Sequence, residues 1–493
     1  MKPEESKYFK TIIIGAGPAG LAAGYELSRN GYNFAIFEKN DAVGGLARTY
    51  LVKEENLVFR TDYGPHRFFS KNQRLYKFVE EIIGDDWQRI ERHTQQFIGG
   101  RFFDYPINYI QAARIVGPAK IFNMSIDYLL AFIKYKIFRK PIHNFKDYAL
   151  ANFGRALAHF SIINYTEKIW GMDSSKLHAD WAQQRIAGLN VFSLLLSLIK
   201  KMLFRRKASI KTIIDEFYYP IYGTGTIYET IKSRIIEHGH PIYFQSFPIG
   251  VKHRDSRIIS VEMNMGGEIQ TFELKNLIES IHLTDFVKLL DPLPPQEVLD
   301  AALYLKYRSQ VCLFITLDKN YVSKNQWIYF PESGIPFDRV SEMKNFSPKM
   351  SPPDKTSLFI EFFCNEGDKR HNSSGHELLS LVLPFFEKYG LFNAKEVRNC
   401  YVFRGGKDYP VYDVDYKKNL GIVKKYLDNF NNLQYIGRPG RFKYTNQDHS
   451  LEMGIIAAKN IKNTKGTGDR ANLSDLNSIG SSGEYFEKGR LRN

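Results

Sequence analysis

Hydrophobic and polar positions change their period several times along this chain. A strand-like run, Thr11-Ile-Ile-Ile14, passes into glycines at 15, 17 and 20. Leu21-Ala-Ala-Gly-Tyr-Glu-Leu27 then suits a helix, and a second strand ends on Phe37-Glu38. From about Tyr76 to Phe204 the pattern predicts helix, with long amphipathic stretches at Ile121–Phe138 and Asn190–Phe204. Alternation returns over 240–290, as in Arg257-Ile-Ile-Ser-Val-Glu-Met263 and Ile269-Gln-Thr-Phe-Glu-Leu274. Further strands are predicted at Val311–Leu317, Trp327–Phe330, Leu358–Phe363 and Leu433–Ile436. The last runs into Gly437-Arg-Pro-Gly440, and a final helix starts near His449. Apolar residues thin out beyond Asn463, which predicts a disordered tail over 464–493. No internal repeat is present.

The segments that suit a nucleotide-binding domain are discontinuous: 8–75, 216–290, and a closing strand and helix at 431–463. A mainly helical lobe at 76–215 and a substrate-side sheet domain at 291–430 are inserted between them. At 493 residues the chain exceeds what one compact core holds, so several lobes are expected.

The formal charge of +15 calls for an anionic partner or a basic surface. No nucleic-acid module or long basic arm occurs, and a basic cleft for a phosphorylated small molecule is sufficient. The stretch near 190–207 ends in Lys200-Lys201 and Arg205-Arg206-Lys207. It reads as a helix packed in the lobe with solvated charges, or as a basic end in peripheral contact with a membrane. Cys312, Cys364 and Cys400 are scattered, which argues against a disulfide framework and a structural zinc site. The N-terminus lacks a signal-peptide pattern and no run of 18 apolar residues occurs. The reading that follows is a cytoplasmic protein without a transmembrane segment.

Gly15, Gly17 and Gly20 let a backbone approach a pyrophosphate at a helix N-terminus, where free N–H groups favour negative charge. Glu38 follows at the spacing of an acid that hydrogen-bonds an adenosine ribose. Three further blocks favour FAD over NAD. Gly44-Gly45-Leu-Ala-Arg48 suits a loop laid along an extended cofactor. Asp62-Tyr-Gly-Pro-His66 places a glycine and a histidine on a loop after a short strand. Gly437–Gly440, with Asp448, His449 and Ser450 on the final helix, could face a reduced flavin ring with that helix's N-terminus.

With these blocks the chain resembles flavoproteins of the UDP-galactopyranose mutase group, within the amine-oxidase and protoporphyrinogen-oxidase superfamily. The resemblance runs from about Lys10 to Lys462, and its most specific block is Arg441-Phe-Lys-Tyr444-Thr-Asn-Gln-Asp448-His-Ser-Leu-Glu-Met-Gly454. Asp104-Tyr-Pro-Ile-Asn108, Tyr165-Thr-Glu-Lys-Ile-Trp170, Trp181-Ala-Gln-Gln-Arg185 and Asp408-Tyr-Pro410 agree with it. The fold it implies is α/β: a glutathione-reductase-type FAD-binding Rossmann domain with an inserted helical lobe and an antiparallel-sheet substrate domain.

The same resemblance implies an enzyme whose reduced flavin N5 attacks the anomeric carbon of UDP-galactopyranose, the sugar then reclosing as the furanose. It implies a reductant such as NAD(P)H or a reductase. Arg185 and Arg339 fall on positions that bind the substrate diphosphate, a task suited to a planar fork of donors. Tyr409 and Tyr444 match tyrosines donating to that diphosphate, and Tyr105 and Asn108 lie on the uridine segment. Trp170, Trp327 and Tyr329 fall on the substrate pocket, His66 approaches the flavin, and Arg438 lies beside it. The chain departs from the family at Ile107, where an aromatic would stack on uracil, at Asn108, at Thr166, and at Ser341-Glu-Met-Lys-Asn345. A sister NDP-sugar therefore stands beside UDP-galactose as the substrate. The nucleotide-binding blocks fit equally an FAD-dependent oxidoreductase of the amine-oxidase or protoporphyrinogen-oxidase kind acting on an apolar substrate.

Overall fold

The computed structural model describes residues 7–105, 117–181 and 216–463, together with Leu476, Asn477 and Ile479. Ile107, Asn108, Arg185, the 190–207 stretch and most of 464–493 lie outside the described residues.

β1 (Lys7–Ile14) runs between β2 (Phe34–Phe37) and β3 (Glu268–Glu279), parallel to both. Ile12 stands opposite Ala35 on one side and Leu277 on the other. Successive residues face opposite sides: Ile13 and Ile36 join one apolar cluster, Ile12, Ile14 and Ala35 the other. Burial on both faces is why these strands read as unbroken apolar runs. Past β3 the sheet continues antiparallel through Arg257–Met265 and Ser246–Arg254, and Ile242–Tyr243 forms the edge beyond β2. Leu433–Tyr435 adds a parallel strand at the end of β3. One sheet thus gathers strands from the beginning, middle and end of the chain.

α1 (Pro18–Ser28) covers one face of this sheet, α2 (Pro118–Phe132) lies in a helical lobe, and α3 (Gln447–Asn463) closes over α1. The closure depends on Gly454. A Cβ there would stand 2.2 Å from the Ala19 carbonyl oxygen and 2.8 Å from Ala22 Cβ.

A second sheet carries β4 (Tyr307–Leu317), β5 (Trp327–Tyr329), β6 (Arg339–Glu342) and β7 (Thr356–Cys364). Its order is Val397–Arg404, β4, β7, β6, β5, Thr94–Ile98, Arg101–Asp104, with Tyr409–Pro410 also paired to β4. Every pair is antiparallel except Thr94–Ile98 with β5. Cys312 and Cys364, on β4 and β7, are buried and free, and Cys400 is half-buried.

Two departures from the sequence pattern have physical causes. Trp87–Glu91, Thr94–Ile98 and Arg101–Asp104 are strands inside the stretch predicted to be helical from Tyr76. Pairing of Thr94–Ile98 with β5, more than 200 residues away, overrides the local preference. In the stretch read as a disordered tail, Leu476 (0% exposed) and Ile479 (6%) pack into the cluster under α1 and α3. Lys424 Nζ donates to Asn477 Oδ1 at 2.9 Å and Lys443 Nζ to the Ile479 carbonyl at 2.5 Å. Two apolar anchors in a polar run leave little trace in composition. No helix among the described residues is long and apolar enough to cross a membrane.

Candidate functional site

At the end of β1 the chain turns through Gly15, with φ +95°, into α1. Gly20 lies so close to this turn that a Cβ would meet the Gly15 carbonyl oxygen at 1.9 Å. Pro18 occupies the first helical positions, and Gly17, the N-cap, supplies no side chain to the open N–H groups. Glu38 ends β2 with its carboxylate held on both oxygens. Oε2 accepts the Ala16 N–H at 2.7 Å, and Oε1 accepts the backbone and side-chain N–H groups of Asn40, each at 2.9 Å. The Gly44 N–H donates to the Ala16 carbonyl at 2.9 Å, fastening the Gly44–Gly45 loop to the glycine turn. Gly15, Gly17, Gly20, Glu38, Gly44 and Gly45 therefore come together.

A second group of predicted residues meets where the two sheets adjoin. Arg438 stacks over two rings, its Cζ 5.1 Å from the centroid of Tyr409 and 5.0 Å from that of Tyr444. The two rings are 5.7 Å apart and 18° from parallel. Arg438 Nε donates to the Thr445 carbonyl at 2.8 Å, which fixes the guanidinium. Arg339, at the start of β6, is paired by two donors with Glu361 of β7. A Cβ on Gly64 would lie 3.5 Å from Arg339 Nη2, so the His66 loop runs against this pair. Burial, with the charges of Arg438 and Arg339, lowers the His66 imidazole to about 3. Burial and the Tyr444 phenol raise Tyr409, against the pull of the two arginines.

Aromatic residues extend the group. Tyr329 meets Tyr105 edge-on at 5.1 Å and Tyr165 at 5.7 Å. Trp170 packs edge-on against Trp181 at 4.8 Å, and Trp181 against Tyr444 at 5.1 Å. Trp327 meets Tyr329 edge-on at 6.5 Å and lies in a core cluster with Phe217 and Phe346. Asp448, His449 and Ser450 are buried in the first turn of α3. Beside them, Gln447 Nε2 donates to the carbonyls of His66 (3.2 Å) and Arg67 (3.0 Å). The start of α3 is thereby tied to the His66 loop.

Residues 13–82 match the family model described as an NAD(P)-binding Rossmann-like domain. A Klebsiella pneumoniae protein described as "Probable UDP-galactopyranose mutase" is 25% identical over 170 residues, 34% of this chain and 42% of that protein. The zeta-carotene desaturase of Synechocystis sp. is 26% identical over 118 residues, 24% of each protein. The matched part of the chain thus spans less than half the length of these curated relatives. A crystal structure of reduced UDP-galactopyranose mutase superposes with a TM-score of 0.77 at 22% identity, over 95% of this chain and 97% of that one. The chain has the fold of a UDP-galactopyranose mutase.

Within this mutase fold the residues fit an FAD-type cofactor. The open glycine turn at the start of α1 has the backbone geometry that suits a pyrophosphate, and the Glu38 carboxylate is held beside it. At the other end His66 Nδ1 is buried without a hydrogen-bond partner, on a loop held between α3 and Arg339. Sequence reasoning missed Glu361 and Asp408 here. Glu361 left a signal, as the lone charge in the apolar run Leu358-Phe-Ile-Glu-Phe-Phe363. Asp408 is 4% exposed and accepts the Gln310 N–H at 3.1 Å, and burial pushes its carboxyl up to about 8. No cluster of metal-ligating side chains occurs among the described residues.

Proposed function

We propose that this chain is an FAD-dependent sugar-nucleotide mutase, interconverting the pyranose and furanose forms of UDP-galactose or a related NDP-sugar. The observation that carries the reading is the convergence of Arg438, Tyr409, Tyr444 and Arg339 beside the His66 loop. Two guanidinium groups and two phenols in one buried place suit a diphosphate. Arginine forks bind phosphate oxygens with charge-assisted bonds, and neutral phenols add donors without adding charge.

Bound in its reduced form, FAD supplies the electron-rich centre for exchange at the anomeric carbon. The protein's part is orientation and charge. Among the described residues the Arg438 charge has no ion-pair partner: its anchor is a carbonyl, and burial keeps Asp408 protonated up to about 8. That charge steadies the diphosphate both as substituent and as leaving group. Tyr409, raised by burial, stays a hydrogen-bond donor throughout the working range. His66 stays neutral there, and its Nδ1 is available to one polar atom of the bound cofactor or sugar. Tyr105, Tyr165 and Tyr329 form an aromatic wall for the sugar and nucleoside. Trp327 adjoins that lining through Tyr329, and Trp170 through Trp181 and Tyr444. Arg185 and Asn108 are proposed as further diphosphate and uridine contacts on the strength of sequence.

One observation favours the second reading, an FAD-dependent oxidoreductase with an apolar substrate. The Arg339 charge is neutralised by Glu361, and aromatic rings wall the space beside it. The two readings separate in one experiment. The FAD-loaded protein is reduced anaerobically with dithionite, given UDP-galactose, and the products are resolved by anion-exchange chromatography. Furanose formation that requires reduction is expected. Absence of turnover of UDP-galactose together with absence of binding by a panel of NDP-sugars overturns the mutase reading.

A further inference from the structure

Four large apolar residues of α2, Phe122, Ile126, Leu129 and Leu130, are exposed. Phe122 is 66% exposed, Leu129 57%, Leu130 59%, and past the helix end Ile137 is 60% and Phe138 77% exposed. On a helix, positions 122, 126, 129 and 130 fall within an arc of about 100°. The other side of α2 is occupied. It packs on the helix Phe145–Leu157, where a Cβ on Gly154 would meet the Tyr128 backbone nitrogen at 2.8 Å, and Asp127 Oδ2 accepts the Ala156 N–H at 2.7 Å. The apolar arc is therefore the outward face of a seated helix, and not the buried face of a detached one.

The exposed charges where this face ends are basic, and among the described residues Lys140 alone of them stands near a carboxylate, with its Nζ 3.8 Å from Asp147 Oδ1. Lys134, Lys136, Arg139 and Lys140 are exposed where the helix ends, next to Ile137 and Phe138. An outward apolar stripe beside a basic cluster is the composition of a helix lying in a lipid headgroup region. A second copy docked through this face offers the cluster little to pair with: the one carboxylate in residues 118–140 is Asp127, whose Oδ2 already accepts the Ala156 N–H at 2.7 Å, whereas an anionic surface supplies phosphates throughout.

We propose that α2 and the segment to Phe138 dock this protein on an anionic membrane surface. The apolar residues enter the headgroup layer, and Lys134, Lys136, Arg139 and Lys140 meet the lipid phosphates. The proposal is independent of the substrate assigned above.

Flotation of the full-length holoprotein with vesicles tests it, using phosphatidylcholine alone or phosphatidylcholine with 30% phosphatidylglycerol, about 0.15 M salt being chosen to screen weak contacts. Cofloatation with the anionic vesicles alone is expected. The variants Phe122→Ser/Leu130→Ser/Phe138→Ser and Lys134→Glu/Lys136→Glu should each lower vesicle binding at least tenfold. All five side chains are exposed, so flavin content and melting temperature should not move. Failure of the wild-type protein to float with anionic vesicles overturns the proposal. So does undiminished binding of the triple variant, which would put the contact elsewhere, for example on the basic 190–207 stretch. A triple variant that halves the mass in solution while the wild type ignores vesicles would make the face a dimer interface instead.

Discussion

Glu361 takes two hydrogen bonds from Arg339, the Nε donor at 2.7 Å, and no part of its side chain reaches solvent. A carboxylate in that position needs its cation. It also aims the cation, because a guanidinium gripped along one edge presents the other in a fixed direction. Glu361→Gln should destabilise the fold by about 3 kcal/mol, since it strands a largely buried guanidinium. A double Glu361→Met/Arg339→Met variant should lose less stability than the single change, and urea denaturation of both measures the difference. Activity should be absent from the double variant whatever its stability.

In the proposed site Arg438 contributes both charge and stacking, and the two can be separated. Arg438→Lys keeps the cation and gives up the planar contact with Tyr409 and Tyr444. Charge-assisted hydrogen bonds contribute roughly 1.5–3 kcal/mol, so UDP binding should weaken roughly 10- to 100-fold. Isothermal titration with UDP reads this directly. Arg438→Ala should weaken it further and reduce the dependence of binding on salt.

The fold was legible in the sequence where local pattern and chemistry coincide. Thr11–Gly20 and Glu38 announce a Rossmann-like turn because the backbone requirements of strand, glycine turn and helix fall within one short segment. Arg438, Tyr409 and Tyr444 were legible by resemblance, and their mutual stacking is a matter of geometry. The strands at 87–104 were hidden because their partners are distant, and no window of sequence contains both. Glu361 was visible as an oddity in an apolar strand, but its meaning required knowing that Arg339 lies opposite it on β6.

Asp408 should give the enzyme an alkaline limb. The folded protein holds this proton up to about 8, against 3.8 for an ordinary aspartate. Between those values the folded state binds more protons than the unfolded state. Stability therefore falls as pH rises from about 4 to 8, and Asp408→Asn should flatten that slope. Above about 8 a carboxylate forms beside Arg438 and offsets its charge, so KM for the sugar nucleotide should rise while kcat changes less. Initial rates between pH 6 and 9.5 test this, and an alkaline rise in KM that persists in Asp408→Asn would assign it to another group.

His66 should show the opposite dependence. Its folded value of about 3 lies below the ordinary 6.5, so the unfolded chain binds the extra proton between those limits. Stability is then complete above pH 6.5 and is lost as pH falls toward 3. His66→Gln keeps a polar side chain that does not titrate and should remove this acid limb, as thermal melts between pH 4 and 7 would register. A kcat inflection near pH 6.5 that disappears in the variant would mean the imidazole is exposed to protons, contrary to its burial.

Gly454 links the closing helix to the cradle. A methyl group there overlaps the Ala19 carbonyl oxygen and Ala22 Cβ, so Gly454→Ala must separate α3 from α1. Overpacking of this kind costs about 1–3 kcal/mol. The displacement acts on function at both ends of the cofactor site, because α1 carries the glycine turn and α3 holds the His66 loop through Gln447. Bound flavin per protein, measured by absorbance near 450 nm, should therefore fall further than the melting temperature alone would suggest. Gly421→Ala is the matched control, since that glycine lies in the helix Tyr416–Leu427 with no atom within 4 Å of its Cβ position. There the substitution should leave flavin content unchanged and stabilise the protein by about 0.5–1 kcal/mol through helix propensity. Equal flavin content in the two variants would show that the close crossing of α1 and α3 does not govern cofactor retention.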